Sequence, residues 1–298
     1  MIITASDCWD LAKKQHSIYF DKNVKARLNL HKRALTKAVH NFLVANHDLI
    51  RDGQEADFRT IQANLEKIII LLAPATQSKI KKKLQRIYDY SIFQKKNVKG
   101  WGAYELCRNL LVETCPYCNL AFAHTVFVKN VPKTRPTLDH FFDKANFPVF
   151  AISLGNLVPS CYSCNSSLKG TKDFFANPHL NPLTSTEKIV ISLDVNILKA
   201  RFNHILFDSA AIKLDFDAKD LRAINSEKTF CLEQRYQKVV EDARLIAKGI
   251  ASFTSTPLPN TQDFERLNWL RRGVSINNYR NKIMGKMIMD LTQTYLVP

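Results

Sequence analysis

Two CxxC knuckles constrain this chain more than any other feature: CPYC at Cys115–Cys118 and CYSC at Cys161–Cys164, separated by residues 119–160. Two thiolates three positions apart grip one ion from a tight turn, and two such turns complete a tetrahedral four-cysteine site for structural Zn2+. The pattern predicts that both knuckles converge on one zinc and that a small structure is built between them. Cys8, Cys107 and Cys231 stand alone and read as small buried hydrophobes. CPYC alone is also a glutaredoxin-type redox motif, but that motif opens a helix after a strand. Here a helical stretch precedes it, a β-type run follows it, and a second pair supplies metal partners.

The composition is that of a globular protein. Of 298 residues, 46% are hydrophobic and 23% charged, which excludes disordered and fibrous chains. Only 8 glycines are present, and neither GxGxxG nor a Walker motif occurs. The longest apolar run, Ile68 to Ala73, is too short to cross a bilayer. The start, MIITASDCWDLAKKQ, has no basic-then-apolar leader, so the expectation is a cytoplasmic protein with no membrane partner.

Charge points to a polyanion. Lys+Arg number 43 against 27 Asp+Glu, a net +16, and nucleic acid is the first candidate partner. The densest stretch is Lys79, Lys81, Lys82, Lys83, Arg86, Lys95, Lys96 and Lys99, with Asp89 the sole acid among them. Lys81, Lys82 and Lys83 are the candidate phosphate contacts there, joined further on by Lys144 and Lys169. A run of this kind is also what a solvated helix face looks like.

Residues 1–114 read as a basic helical region. Apolar positions recur at helical intervals from Val24 to Ile50 and again from Ile61 to Leu72. A break at Pro74 precedes a basic helix to about Tyr90, and a short helix is expected over Trp101–Glu113. Residues 115–185 form the cysteine-bearing module, with a β-type run from Ala121 to Val128. Residues 186–298 begin with strand-like alternation at Ile189, Ile191, Leu193 and at Ile212, Leu214, Phe216. Helices are expected over Phe230–Ile250, Phe264–Arg272 and Asn278–Leu291. The predicted fold class is α+β, mainly α.

The chemistry sits between and just past the knuckles. Asp139 and His140 are adjacent at the end of a short extended segment, Asn156 follows, and Asn165 comes directly after Cys164. A carboxylate beside an imidazole suits a site where one holds a divalent cation and the other takes a proton from water. Each residue alone has a plainer reading: a helix cap, a satisfied histidine, a turn asparagine.

The phrases LDHFFDK and NLVPSCYSCNSSLKG, framed by the two knuckles, resemble the HNH family of His-Me finger endonucleases across about Thr114 to Gly170. The resemblance implies a ββα-metal core with a structural zinc on the four cysteines, flanked by helical segments and a short antiparallel β region. It implies that His140 is the general base, that Asp139 and Asn165 hold a catalytic Mg2+ or Mn2+, and that Asn156 pins the loop that aims the histidine. Asn165 stands where the final histidine of the motif name often stands. His179, in NPHLNPL, lies beyond the motif and is the candidate extra ligand. The implied activity is phosphodiester hydrolysis in nucleic acid, DNA favoured over RNA. The phrase style is also similar to Septu-type phage-defence nucleases, which work with an ATPase partner. The alternatives are a non-catalytic zinc module that only binds nucleic acid, and an RNA-cleaving effector.

Overall fold

The computed structural model describes residues 2–96, 100–193, 214–255 and 271–296. Lys99, Ile212 and most of the helix expected over Phe264–Arg272 lie outside the described residues. The chain is α+β and divides into two compact units. One comprises residues 5–112 and 123–185, the other residues 1–4, 113–122 and 186–298. These units do not follow the three consecutive segments read from the sequence. The helical region 1–114 and most of 115–185 share one body.

In the first unit, helices α1 (Lys13–His31), α2 (Lys37–Ala45), α3 (His47–Asp52), α4 (Glu55–Ile69), α5 (Pro74–Ile87), α6 (Tyr90–Phe93) and α7 (Ala103–Arg108) precede the strands. The periodic stretch from Val24 to Ile50 is three helices rather than one. Thr36 breaks it by capping α2, its side chain accepting from Val39 N at 3.3 Å. Pro74 occupies the first position of α5, where its missing N–H is no loss. The Gln54–Asp57 capping box starts α4.

Phe20, Val24 and Leu28 of α1, Phe58, Ile61 and Leu65 of α4, and Ile80, Leu84 and Ile87 of α5 turn their apolar stripes into the core. There Phe58 stacks on Phe150 with ring centroids 4.4 Å apart. Strands β1 (Val126–Val128) and β2 (Val131–Thr134) form an exposed hairpin. Its tip, Lys129–Asn130, has positive φ at both residues, as a tight two-residue turn requires. Strand β3 (Thr137–His140) pairs antiparallel with β4 (Leu157–Ser160), aligning Asp139 with Val158 and His140 with Leu157. A wide helical turn, α8 (Ser163–Lys169), follows, closed by an i→i+5 bond from Gly170 N to Asn165 O. Gly170, at φ +53, ends it.

The helical region and the hairpin are locked together inside this unit. Trp9 Nε1 donates to Leu157 O at 2.9 Å, and His16 Nε2 lies 2.8 Å from Ile152 O. At Gly155 a Cβ would stand 2.2 Å from Gly53 O, so only glycine lets the loop before β4 pass the end of α3.

In the second unit, β5 (Ile189–Leu193) pairs antiparallel with β6 (Leu214–Ala218), as the alternation predicted. Ile189, Ile191 and Leu193 are buried, with the residues between them less so. Helices α9 (Leu221–Phe230), α10 (Leu232–Tyr236), α11 (Val240–Ser255) and α12 (Gly285–Leu296) follow among the described residues. Asp220 caps α9 through Ala223 N, so helix begins well before Phe230, where the sequence pattern placed its start. Asp290 on α12 accepts from Ile191 N at 2.9 Å and pairs with Lys286, tying helix to strand.

Candidate functional site

The CPYC knuckle is held by backbone bonds that a CxxC turn makes for itself. Cys118 N and Asn119 N both donate to Cys115 O, and Asn119 takes the left-handed conformation that asparagine tolerates, φ 51. Asn119 then clamps the turn: its amide donates to Thr114 Oγ1 and Lys282 O and accepts from Lys286 N. Tyr117 is buried against Phe230, centroids 4.3 Å apart. In CYSC, by contrast, Tyr162 is 70% exposed. Each knuckle aims a backbone N–H at a sulfur at 3.4 Å, Leu120 N at Cys118 Sγ and Cys164 N at Cys161 Sγ. The sulfurs of Cys115, Cys118, Cys161 and Cys164 lie within 4.8 Å of one another, and the group could hold a zinc ion. Four thiolates at about 2.3 Å would saturate Zn2+ and leave no position for water. Cys8 and Cys107 are buried as expected, and Cys231 is half-buried.

A pocket of ≈310 Å³ lies over β3 and α8, lined by Asp139, His140, Asn165 and Lys169 together with Tyr90, Gln94, Arg135, Asp143 and Lys144. The β3–β4 hairpin delivers Asp139 and His140, and α8 delivers Asn165 and Lys169. His140 is 7% exposed, its Nε2 is 2.9 Å from Ala151 O, and the edge of Tyr90 meets its ring at 4.5 Å. A carbonyl only accepts, so Nε2 carries the proton and Nδ1 the lone pair. Burial, with the Lys144 ammonium next, pushes the His140 pKa down to about 3 against the opposing pull of Ala151 O. The ring is neutral at pH 7.

Asn156 lies beneath the pocket, fully buried. Its Oδ1 accepts from Phe142 N at 2.7 Å, and its Nδ2 donates to Phe142 O and Phe150 O at 3.0 and 3.1 Å. One side chain thereby ties down both ends of the loop that leaves His140 and returns to β4.

Lys169 departs from the phosphate contact expected of it. It is 3% exposed, and its Nζ donates to Asp139 Oδ1 at 2.8 Å and to His140 O at 2.6 Å. A buried ammonium needs such partners. Lys144 is exposed on the pocket rim, 5.8 Å from the Tyr90 ring centroid. Lys81 reaches Asn146 at 3.3 Å, on the loop that carries Lys144, while on α5 Lys82 is exposed and Lys83 half-buried. His179 is not in the pocket: it stacks on Phe174 at 3.7 Å, bonds through Nδ1 to Asn177 O, and belongs to neither group of side chains that could hold a metal among the described residues. Burial lowers its pKa to about 4.

Arg135, Tyr90 and Gln94 carried no motif signal. Arg135 stands just before the TLDH strand, a position from which its place on the pocket could have been guessed. A second metal-capable trio, Asp21, His47 and Asp48, already has Arg51 at 2.7 Å from Asp21 and 3.1 Å from Asp48. It is an ion-paired surface cluster.

The donor set at Asp139 fits a hard cation. Asp139 and Asn165 offer oxygen ligands in one pocket, while Asp143, also in its lining, caps its own turn through Ala145 N and Asn146 N. Mg2+ is commonly held by one or two carboxylates with waters and phosphate oxygens completing its shell.

Fold and site thus define an α+β protein with a group of four cysteines suited to zinc. No family profile matches the chain, and no solved structure does. The chain is similar to protein ea31 of Escherichia phage lambda, 32% identical over 93 residues, which is 30% of this chain and 26% of that protein. The match therefore covers about a quarter of the relative's length. No helix among the described residues is long and apolar enough to cross a membrane.

Proposed function

We propose that this chain is a metal-dependent endonuclease of the HNH type, hydrolysing phosphodiester bonds in nucleic acid with DNA as the favoured substrate. The observation that carries this reading is the convergence of Asp139, His140 and Asn165 on one pocket, with His140 fixed in the tautomer a base requires. A module that only binds nucleic acid has no need of Asp139, His140 and Asn165 together on one pocket. In the reaction, His140 Nδ1 takes a proton from water, whose oxygen attacks phosphorus opposite the leaving 3′ oxygen. Asp139 and Asn165 would hold Mg2+ or Mn2+, which supplies charge neutralisation at the phosphate and the leaving oxygen. Asn156 holds the loop so that the ring keeps its aim. Zn2+ on the four cysteines would be structural.

Arg135 and Lys144 give the pocket rim positive charge, and Lys81 extends it along α5 through Asn146. This supports a polyanionic substrate whose backbone crosses the pocket. The similarity over 93 residues to a phage protein suits a role in phage biology. The further step, the nuclease part of an anti-phage system that acts with an ATPase partner, rests on the resemblance of the LDHFFDK and NLVPSCYSCNSSLKG phrases to Septu-type nucleases. The test is cleavage of plasmid DNA and of structured RNA with Mg2+, Mn2+ or EDTA, comparing wild type with His140→Ala. Cutting that needs a divalent ion and vanishes in the variant supports the proposal; tight DNA binding with no cutting, either by the chain alone or with its ATPase partner supplied, refutes it.

A further inference from the structure

We propose that Lys169 is a resident counter-charge at the candidate ion site: it holds the protein's own affinity for a divalent cation low, so that the ion binds together with the phosphate of the substrate. The inference rests on the nuclease reading and concerns how that site is loaded. Lys169 is the last residue of α8, and its side chain turns inward, 2% exposed, onto an Asp139 side chain equally buried. Its ammonium has three donors. One meets Asp139 Oδ1 at 2.8 Å, one meets His140 O at 2.6 Å, and the Phe174 ring faces the charge at 4.9 Å. The ammonium is thus a fixed part of the pocket, bound to both residues of the Asp139–His140 pair.

A cation bound at Asp139 would share that carboxylate with a positive charge already in contact with it. Repulsion at such range is strong where solvent is excluded, and it acts on both charges of the divalent ion. Arg135 and Lys144 line the same pocket as Lys169, which leaves three cationic side chains in a lining with two carboxylates, Asp139 and Asp143, the second of them capping its own turn. A phosphodiester brings the missing negative charge and fresh oxygen ligands. Ion and nucleic acid should therefore each strengthen the binding of the other, as linkage demands. A site with this balance stays largely unloaded until nucleic acid is bound, which limits stray hydrolysis.

The experiment measures Mn2+ binding calorimetrically to the full chain, with and without a phosphorothioate duplex that resists cleavage. Wild type is compared with Lys169→Met, Lys169→Gln and Asp139→Asn. Methionine removes the charge at similar volume, and glutamine keeps an N–H donor for Asp139 or His140 O should methionine fail to fold. Unfolding curves confirm that each variant is native. The expected result is Mn2+ affinity without DNA at least about tenfold tighter in a folded Lys169 variant. The gain in affinity on adding the duplex should be larger in wild type than in that variant. If wild type binds Mn2+ through Asp139 and the folded Lys169 variants bind it equally or more weakly, the inference is overturned and the nuclease reading stands. If no protein binds Mn2+ even with the duplex, both fall.

Discussion

His140 Nε2 lies 2.9 Å from the carbonyl oxygen of Ala151, and this one bond decides which nitrogen of the ring is basic. The bond crosses from the end of β3 to the loop returning to β4, a loop that Asn156 spans from within. Removing the base should lower cleavage by about 10²–10⁴-fold. His140→Ala, assayed with Mg2+ on plasmid DNA at a temperature where its unfolding curve shows it native, should show that loss; some stability is lost too, because Ala151 O loses its partner and Tyr90 its packing. Wild-type rates in the variant would exclude His140 as the base.

Asn156 should contribute to stability. Asn156→Ala strips partners from Phe142 N, Phe142 O and Phe150 O in a buried loop, at a cost of about 2–4 kcal/mol. Asn156→Asp should fare no better, since a carboxylate cannot donate to the two carbonyls. Urea unfolding measures both, and a change under about 0.5 kcal/mol would contradict the clamp.

Arg135 should act on substrate rather than on fold. Its guanidinium sits 5.2 Å from the Tyr104 ring and lines the pocket beside Thr137 and Asp139. Arg135→Ala should weaken DNA binding and reduce the slope of log affinity against log salt by about 1. An unchanged slope would place the phosphate elsewhere.

The four cysteines should carry about one zinc per chain. Cys161→Ser should release that zinc, measured by elemental analysis, and lower the melting temperature. Full zinc retention in the variant would show that the metal is bound by other groups.

Acid should destabilise the protein through His16. This ring is fully buried, with Trp101 Nε1 donating to its Nδ1 at 3.2 Å and its Nε2 donating to Ile152 O at 2.8 Å. Burial lowers its pKa from 6.5 to about 4, although the Ile152 carbonyl pulls the other way. The unfolded chain therefore binds the proton first. The stability from keeping this ring neutral is complete above pH 6.5, and about 3 kcal/mol of it is lost as pH falls through 4. His140 and His179 shift the same way, so the comparison is between wild type and His16→Gln. The variant should lose less stability between pH 7 and 4.5, and equal losses would show that His16 is not the group responsible.

Much of the site was legible because its chemistry is local in sequence. CPYC and CYSC make their own turns, and TLDH is an extended run that ends on the Asp139–His140 pair. The strand alternation at Ile189, Ile191 and Leu193 was equally readable, since one buried face imposes a period of two. Helix boundaries were less so. Thr36 reads as an ordinary polar residue until its hydroxyl is seen on Val39 N, and only then does the run from Val24 to Ile50 divide. The grouping into two units was not readable, because residues 5–112 and 123–185 interleave, with Trp9 and His16 bonding to the backbone at Leu157 and Ile152.

What the sequence by itself determined is the inventory: two thiol knuckles, an Asp-His pair, two asparagines, and an excess of positive charge. Residue type fixes which atoms can bind a metal, take a proton or attract phosphate, wherever the chain places them. Only the tertiary structure decided what those atoms meet. It turned Lys169 inward onto Asp139, stacked His179 on Phe174, and brought Arg135 and Tyr90 to the pocket. Burial and charge pairing are set by neighbours distant along the chain, and a lysine's sequence surroundings do not say whether its ammonium faces water or a buried carboxylate.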